Sequence, residues 1–205
     1  MTDIITIPAP VYRAFKPLIK PAGSTRMHNR VAEFVRVGVT AYDFTLTYSD
    51  HFMLIRCSWG KPKEWGNHLE GHFQYLTKEK FANVEYTAKY GAKIAVDESA
   101  ELPFQADFLR DSAVQSFIDQ NQASYKGGAG KGRVIPCSSK KFNASLMAKA
   151  MQACNRICLH GETDVKVDDA PLTVDFGASP IVPAYIHAYV RKHDVTLDAL
   201  VMPLR

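Results

Sequence analysis

Residues 31–56 narrow the fold more than any other part of this chain. Val31, Glu33, Val35, Val37 and Val39 alternate with their neighbours, and Phe44, Leu46 and Tyr48 continue on one face. Ser49-Asp50 reads as a turn, after which Phe52, Leu54 and Arg56 return on the next strand. A period of two places successive side chains on opposite faces of a sheet, so this stretch reads as an antiparallel meander. Ahead of it, Ile4 to Ile7 is a short β-like run. Pro10 suits the first turn of a helix whose apolar face is Val11, Phe15, Leu18 and Ile19, and Pro17 should end or kink that helix. Pro21-Ala22-Gly23-Ser24 is turn-like. Residues 2–58 therefore read as strand, helix, meander.

The last third repeats that order. Phe142-Asn143-Ala144-Ser145 opens a helix with an apolar stripe of Leu146, Met147, Ala150, Met151 and Cys154, and Asn143 is a suitable N-cap. Arg156 to His160 and Asp164 to Val167 read as paired strands around Gly161-Glu162-Thr163. Asp168-Asp169-Ala170-Pro171 turns into Leu172 to Phe176, which alternates, and Tyr185 to Val190 precedes a closing strand. There Leu200, Met202 and Leu204 alternate with Ala199, Val201 and Pro203. Pro203 has no N–H and belongs at an edge or a strand's last position. This ending is expected to stay tied down, with its last residues at a surface groove.

Between these thirds the signals weaken. Residues 59–72 form a loop rich in Gly, Lys and aromatics, and 81–96 hold one or two strands, with Tyr86, Ala88 and Tyr90 alternating. Phe104 to Ile118 reads as a helix, and the Gly-rich stretch 127–132 as a flexible linker or exposed loop.

A chain of 205 residues, 46% hydrophobic and 22% charged, suits a globular protein of one large domain or two smaller ones. No apolar run is long enough to span a membrane, and the N-terminus lacks the basic and apolar regions of a secretory signal, so the expected location is cytoplasmic. The net charge of +4 is mild but segregated. Segment 124–141 holds Lys126, Lys131, Arg133, Lys140 and Lys141 without an acid, whereas 97–119 sets six acids against Arg110.

Chemistry-bearing patterns are incomplete. Cys154, Cys158 and His160 lack a second compact ligand pair, so no metal is expected and the four cysteines read as free thiols. Gly127 to Arg133 lacks the Lys-Ser/Thr pair of a phosphate-binding loop, and His68-Leu69-Glu70-Gly71-His72 misplaces its Glu for a zinc protease. No Gly-x-Ser-x-Gly elbow occurs. Trp59 and Trp65 flank Lys61 and Lys63, which suits stacking on bases but suits better a loop packed down by its own tryptophans. The chain is expected to be neither an enzyme nor a cofactor binder.

The ending Val201-Met202-Pro203-Leu204-Arg205 resembles the last strand of the bacterial DNA sliding clamp. Ile5-Thr6-Ile7 with the helix after it, and Phe44 to Asp50, resemble that family's opening strand, first helix and hairpin. Phe142-Asn143-Ala144-Ser145-Leu146 resembles the start of its last helix, and Thr163-Asp164 to Val167 the strand after it. The resemblance covers about 2–58 and 141–205; residues 59–140 depart from it. It implies an α+β, DNA-clamp-like fold of repeated strand–helix–antiparallel meander units, with helices on one face of curved sheets. The domains would be 1–100 and 101–205, or one enlarged domain with 59–140 inserted.

The implied function is a non-enzymatic processivity and partner-docking factor in DNA replication or repair, acting as a homo-oligomer. Helix bases would meet the DNA backbone without sequence preference: Arg13, Lys16 and Lys20 on the first helix, and Lys140, Lys141, Lys149 and Arg156 around the later one. Met202, Pro203, Leu204 and Arg205 would help line a groove for short peptide motifs of polymerases or repair proteins. The alternative is an RNA or single-stranded DNA binding module of another α+β fold, using the basic loop 124–141 with Lys126, Lys131 and Arg133.

Overall fold

The computed structural model describes residues 3–25, 27–65, 70–96, 115, 116, 118, 141–161, 172–176, 182–190 and 194–204. The alternating stretch forms the middle of a seven-stranded antiparallel sheet. β2 (Phe34–Val39), β3 (Asp43–Ser49) and β4 (Met53–Gly60) make the expected meander. β5 (Phe73–Thr77) pairs with the other side of β2. β4 pairs with β10 (Val195–Val201), from Trp59 opposite Val195 to Met53 opposite Val201, and β9 (Ala184–Val190) and β8 (Leu172–Asp175) follow. Strands from both ends of the chain thus share one sheet. A smaller sheet has the order β1 (Asp3–Ile7), β7 (Gly91–Val96), β6 (Glu85–Thr87).

The two faces of the large sheet differ in chemistry. Val37, Leu46, Cys57, Leu197 and Ala188 lie in register across five strands, all buried in the main core. One residue along, Arg36, Thr47, Arg56, Asp198 and His187 form a polar row on the opposite face. Arg36 and Arg56 are nonetheless buried. Helical residues Gln115 and Ile118 lie against this face: Arg56 Nη1 donates to Gln115 Oε1 at 2.8 Å, and Ile118 joins Leu54, Tyr185 and Leu200 in a second apolar cluster. They belong to the helix expected over 104–118, whose other residues lie outside those described.

α1 (Ala9–Phe15) and α3 (Ala144–Gly161) pack on one another, and α3 also lies against β4, β9 and β10. α1 stops where the sequence said it should. Lys16 N still donates to the Tyr12 carbonyl at 3.0 Å, but Pro17 has no N–H to continue the ladder. α3 begins at its expected cap, Asn143 Oδ1 accepting from Ser145 N at 2.9 Å and Leu146 N at 3.3 Å.

Three expectations need correction. Arg156 to His160 is not a strand but the end of α3, because the stripe Ala150, Ala153, Cys154, Ile157 keeps helical spacing into the core. The strand expected from Val31 starts at Phe34, since Met27–Glu33 is a 3-10 turn. The Glu33 carboxylate accepts from the N–H groups of Gly23 and Thr25 and from the Thr25 hydroxyl, and Lys20 N donates to the Ala32 carbonyl. Finally, the loop expected over 59–72 starts later, because β4 runs to Gly60; 81–96 does hold two strands, β6 and β7, behind a short helix, α2 (Lys78–Ala82), N-capped by Thr77.

Candidate nucleic-acid interface

α1 is nearly swallowed by the core. Ala9, Pro10, Val11, Tyr12, Ala14 and Phe15 are buried, and Arg13 is the one exposed residue of the helix. Its Nε donates to the Ala9 carbonyl at 3.4 Å, which folds the guanidinium back along the helix. Lys16, exposed at the C-cap, holds its Nζ 5.6 Å from the centre of the Tyr12 ring, a cation–π distance. Lys20 is half-buried beyond the helix end.

α3 presents a longer surface. Ser145, Lys149, Gln152 and Arg156 are exposed and recur at spacings of three and four, opposite the buried stripe. Lys149 and Arg156 stand about 10 Å apart along the axis, seven residues at about 1.5 Å each. Neither 9–20 nor 141–161 contains an aspartate or glutamate. Helix packing therefore joins two acid-free helices whose exposed charged side chains, with that of the α1 C-cap, are Arg13, Lys16, Lys149 and Arg156. Exposed cations without neighbouring acids are the candidates for meeting a polyanion through its backbone, an attraction that does not read sequence.

Lys141 lies elsewhere. It precedes the cap of α3, and its carbonyl accepts from Leu204 N at 2.7 Å, which places it beside the chain's end. Lys126, Lys131, Arg133 and Lys140 lie outside the described residues, as do Gly127 to Gly132 and Arg205.

The C-terminal segment is tied down on both sides. Met202 N donates to the Phe52 carbonyl at 2.8 Å, Pro203 bridges to Phe142, and Leu204 is held by Lys141. Met202 and Pro203 are half-buried, whereas Leu204 is 53% exposed. Two aromatics missed in the sequence extend this shelf. Phe52 is 57% exposed at the β3–β4 hairpin, and Phe176 is partly exposed with its ring 5.8 Å from that of Phe142. The hairpin is rigid: Asp50 Oδ1 accepts from Phe52 N at 3.2 Å and Met53 N at 2.9 Å, and His51 takes the left-handed conformation at φ 69°. A large apolar residue directly after an Asp-His turn was the available signal for Phe52. Phe176 had none, since only the fold brings it to Phe142.

Other patterns resolve as packing. Trp59 is buried, with Nε1 donating to the Thr6 carbonyl at 3.1 Å, and Trp65 packs edge-on against Phe44 at 5.0 Å. The tryptophans hold their own loop down. Cys57 and Cys154 are buried thiols outside any disulfide. Among the described residues, no three His, Cys, Asp or Glu side chains are grouped to hold a metal ion, and no helix is long and apolar enough to cross a membrane.

On the opposite sheet face, His187 Nδ1 lies 3.0 Å from Asp198 Oδ1, and the Tyr185 hydroxyl donates to the same oxygen at 2.5 Å. The hydrogen bond with Asp198 raises the His187 pKa above its ordinary value, against the lowering effect of burial. Glu33 is pushed up by burial, but the hydrogen bonds from Thr25 and Gly23 outweigh this and leave its pKa lowered.

No family model and no curated protein matches this sequence. Solved structures do match the fold. The Helicobacter pylori β clamp in complex with diflunisal superposes at a TM-score of 0.55 and 10% identity, covering all of this chain and 67% of that one. The same clamp with 5-chloroisatin gives 0.53 at 10% identity, and with 3,4-difluorobenzamide 0.51 at 11%, at the same coverages. Together with antiparallel sheets carrying a packed helix pair, these similarities establish that the chain has the fold of the bacterial DNA polymerase III β sliding clamp.

Proposed function

We propose that this protein is a non-enzymatic, clamp-like DNA-binding factor that supports processivity and docks partners in replication or repair. The observation that carries the proposal is the acid-free helix pair, on which Arg13, Lys16, Lys149 and Arg156 face outward while the apolar sides of both helices enter one core. Backbone contacts from such a surface are strong at low salt, indifferent to sequence and compatible with sliding. Lys20 extends the same surface at its margin; Lys140, outside the described residues, is carried in this reading as a further backbone contact. Lys141, with Met202, Pro203 and Leu204, belongs to a shelf that takes short apolar segments of polymerases or repair proteins; Phe52, Phe142 and Phe176 complete it, and Arg205, outside the described residues, is assigned the same role. Methionine suits such a surface because its unbranched chain adapts to varied partners.

Ring closure calls for more than one copy. β5 and β8 stand at the two ends of the large sheet, and we place the contacts between copies there. We place the two halves of the chain, divided near residue 100, as clamp-like units that share this sheet, and the assembly as a homo-oligomer.

The test combines size and topology. Light scattering should give one defined oligomer, and the protein should be retained on closed-circular DNA and lost from linear DNA. Lys149→Gln with Arg156→Gln should flatten the dependence of log K on log salt by about 0.9 per charge removed. A monomer at all concentrations whose salt slope is unchanged by these substitutions overturns the proposal.

A further inference from the structure

The turn between β6 and β7 carries an aromatic and a base that the helix surface does not use. Tyr90 is 66% exposed, and Lys89 Nζ stands 4.9 Å from the centre of its ring. The turn is held in place. Tyr90 N donates to Thr87 Oγ1 at 3.1 Å, and Gly91 follows at φ 96°, its α-carbon against the Ile7 carbonyl. A Cβ on Gly91 would lie 2.0 Å from Ile7 O and 3.2 Å from Ala9 N, so the turn abuts the start of α1. Arg13 folds back toward this end of the helix through its bond to the Ala9 carbonyl. Tyr12 stacks on Tyr86 with ring centres 4.6 Å apart, which fixes β6 beneath α1, and Lys16 lies over the Tyr12 ring. Lys89, Arg13 and Lys16 therefore border the same short helix. The one acid of this hairpin, Glu85, is paired with Lys93 at 2.9 Å.

An exposed ring on a fixed turn, among cations, has the chemistry of a stacking platform for unpaired bases, since every base offers a π-face and every nucleotide a phosphate. We infer that the Lys89–Tyr90 turn binds single-stranded DNA: Tyr90 stacks on a base and Lys89 meets the adjoining phosphate. The protein thereby favours a junction of duplex and single strand over plain duplex. The inference rests on the DNA-binding reading above, which supplies the neighbouring duplex.

The test measures fluorescence anisotropy of the full chain with a blunt duplex, the same duplex with an oligo-dT overhang, and oligo-dT alone. Tyr90→Ala should weaken overhang binding about tenfold more than blunt-duplex binding, within the range of one lost base stack. Tyr90→Phe, which keeps the ring, should retain the wild-type preference. Lys89→Gln should lower the salt slope on oligo-dT by about 0.7. Arg13→Gln with Lys16→Gln should weaken all three complexes. If Tyr90→Ala leaves the overhang preference unchanged, or weakens duplex and overhang equally, the stacking role is wrong while the DNA-binding reading stands. If the wild-type chain binds none of the three probes, both fall.

Discussion

Helices α1 and α3 share one core yet present their cations on opposite terms. α1 has seven residues and exposes Arg13 alone, so its surface charge is inseparable from a segment that is otherwise interior. α3 has eighteen residues and keeps a continuous exposed stripe, so Lys149 and Arg156 stand on a helix whose packing is decided elsewhere. The contact surface proposed above would thus join a fixed half to an adjustable half. Charges on α3 should be removable at the expense of binding only, whereas changes around α1 should reach the fold first.

The sharpest way to break this contrast is at Gly91, where β7 meets the start of α1. Gly91→Ala would set a Cβ 2.0 Å from the Ile7 carbonyl oxygen, at a positive φ that side chains rarely adopt. Backbone cannot yield as a flexible side chain does, so the loss should exceed about 4 kcal/mol, read as the urea midpoint. A stable Gly91→Ala protein would show that α1 is not anchored there.

The next largest effect compares the helices directly. Phe15 is fully buried at the end of α1, and Phe15→Ala should cost about 3–4 kcal/mol from lost burial plus the cavity left behind. Lys149→Gln on α3, exposed and outside the core, should stay within about 0.5 kcal/mol. Paired denaturation curves check both. A Lys149→Gln protein as unstable as Phe15→Ala would mean that α3 is no more adjustable than α1.

The same contrast explains what the sequence disclosed. α1 was legible because its limits are covalent: Pro10 is tolerated in the first turn, and Pro17 lacks the N–H that a further turn needs. The start of α3 was legible through Asn143, but its end was not. Arg156-Ile157-Cys158-Leu159-His160 imitates strand alternation, and only packing of Ile157 with Ala153 and Cys154 in the core resolves it as helix. β2, β3 and β4 were visible because their register is local. The pairing of β4 with β10 joins residues some 140 positions apart, which no local period encodes. The helix bases Arg13, Lys16, Lys149 and Arg156 were named in the sequence only through the resemblance, and their exposure came from the fold. The shelf was half readable, because Phe52, Phe142 and Phe176 come together only in the fold.

A smaller effect sharpens the account of α3 at its cap. Asn143 accepts two backbone N–H groups that otherwise have no helical partner. Asn143→Ala should cost about 1 kcal/mol, and because Lys141 and Phe142 adjoin the cap, it should also loosen Leu204. Faster amide exchange at Leu204 in the variant, with exchange in α1 unchanged, is the expected pattern. Equal acceleration in both helices would show that the two halves respond as one unit.

The smallest effect lies behind α3, on the sheet face that neither helix touches. The folded-state pKa of His187 is raised by its bond to Asp198, so folding favours the imidazolium. That contribution is fully present below the unfolded value of about 6.5 and fades as pH climbs through the higher folded value. With the His187 side chain 39% exposed, solvent screening keeps it below about 1 kcal/mol. His187→Gln should therefore flatten the stability profile within that window and leave DNA affinity at fixed pH unaltered. Were the substitution to change DNA affinity in that same window, the two faces of the sheet would be coupled. The adjustable half of the contact surface would then answer to a proton on the far side of β9 and β10, not to its own lysine and arginine alone.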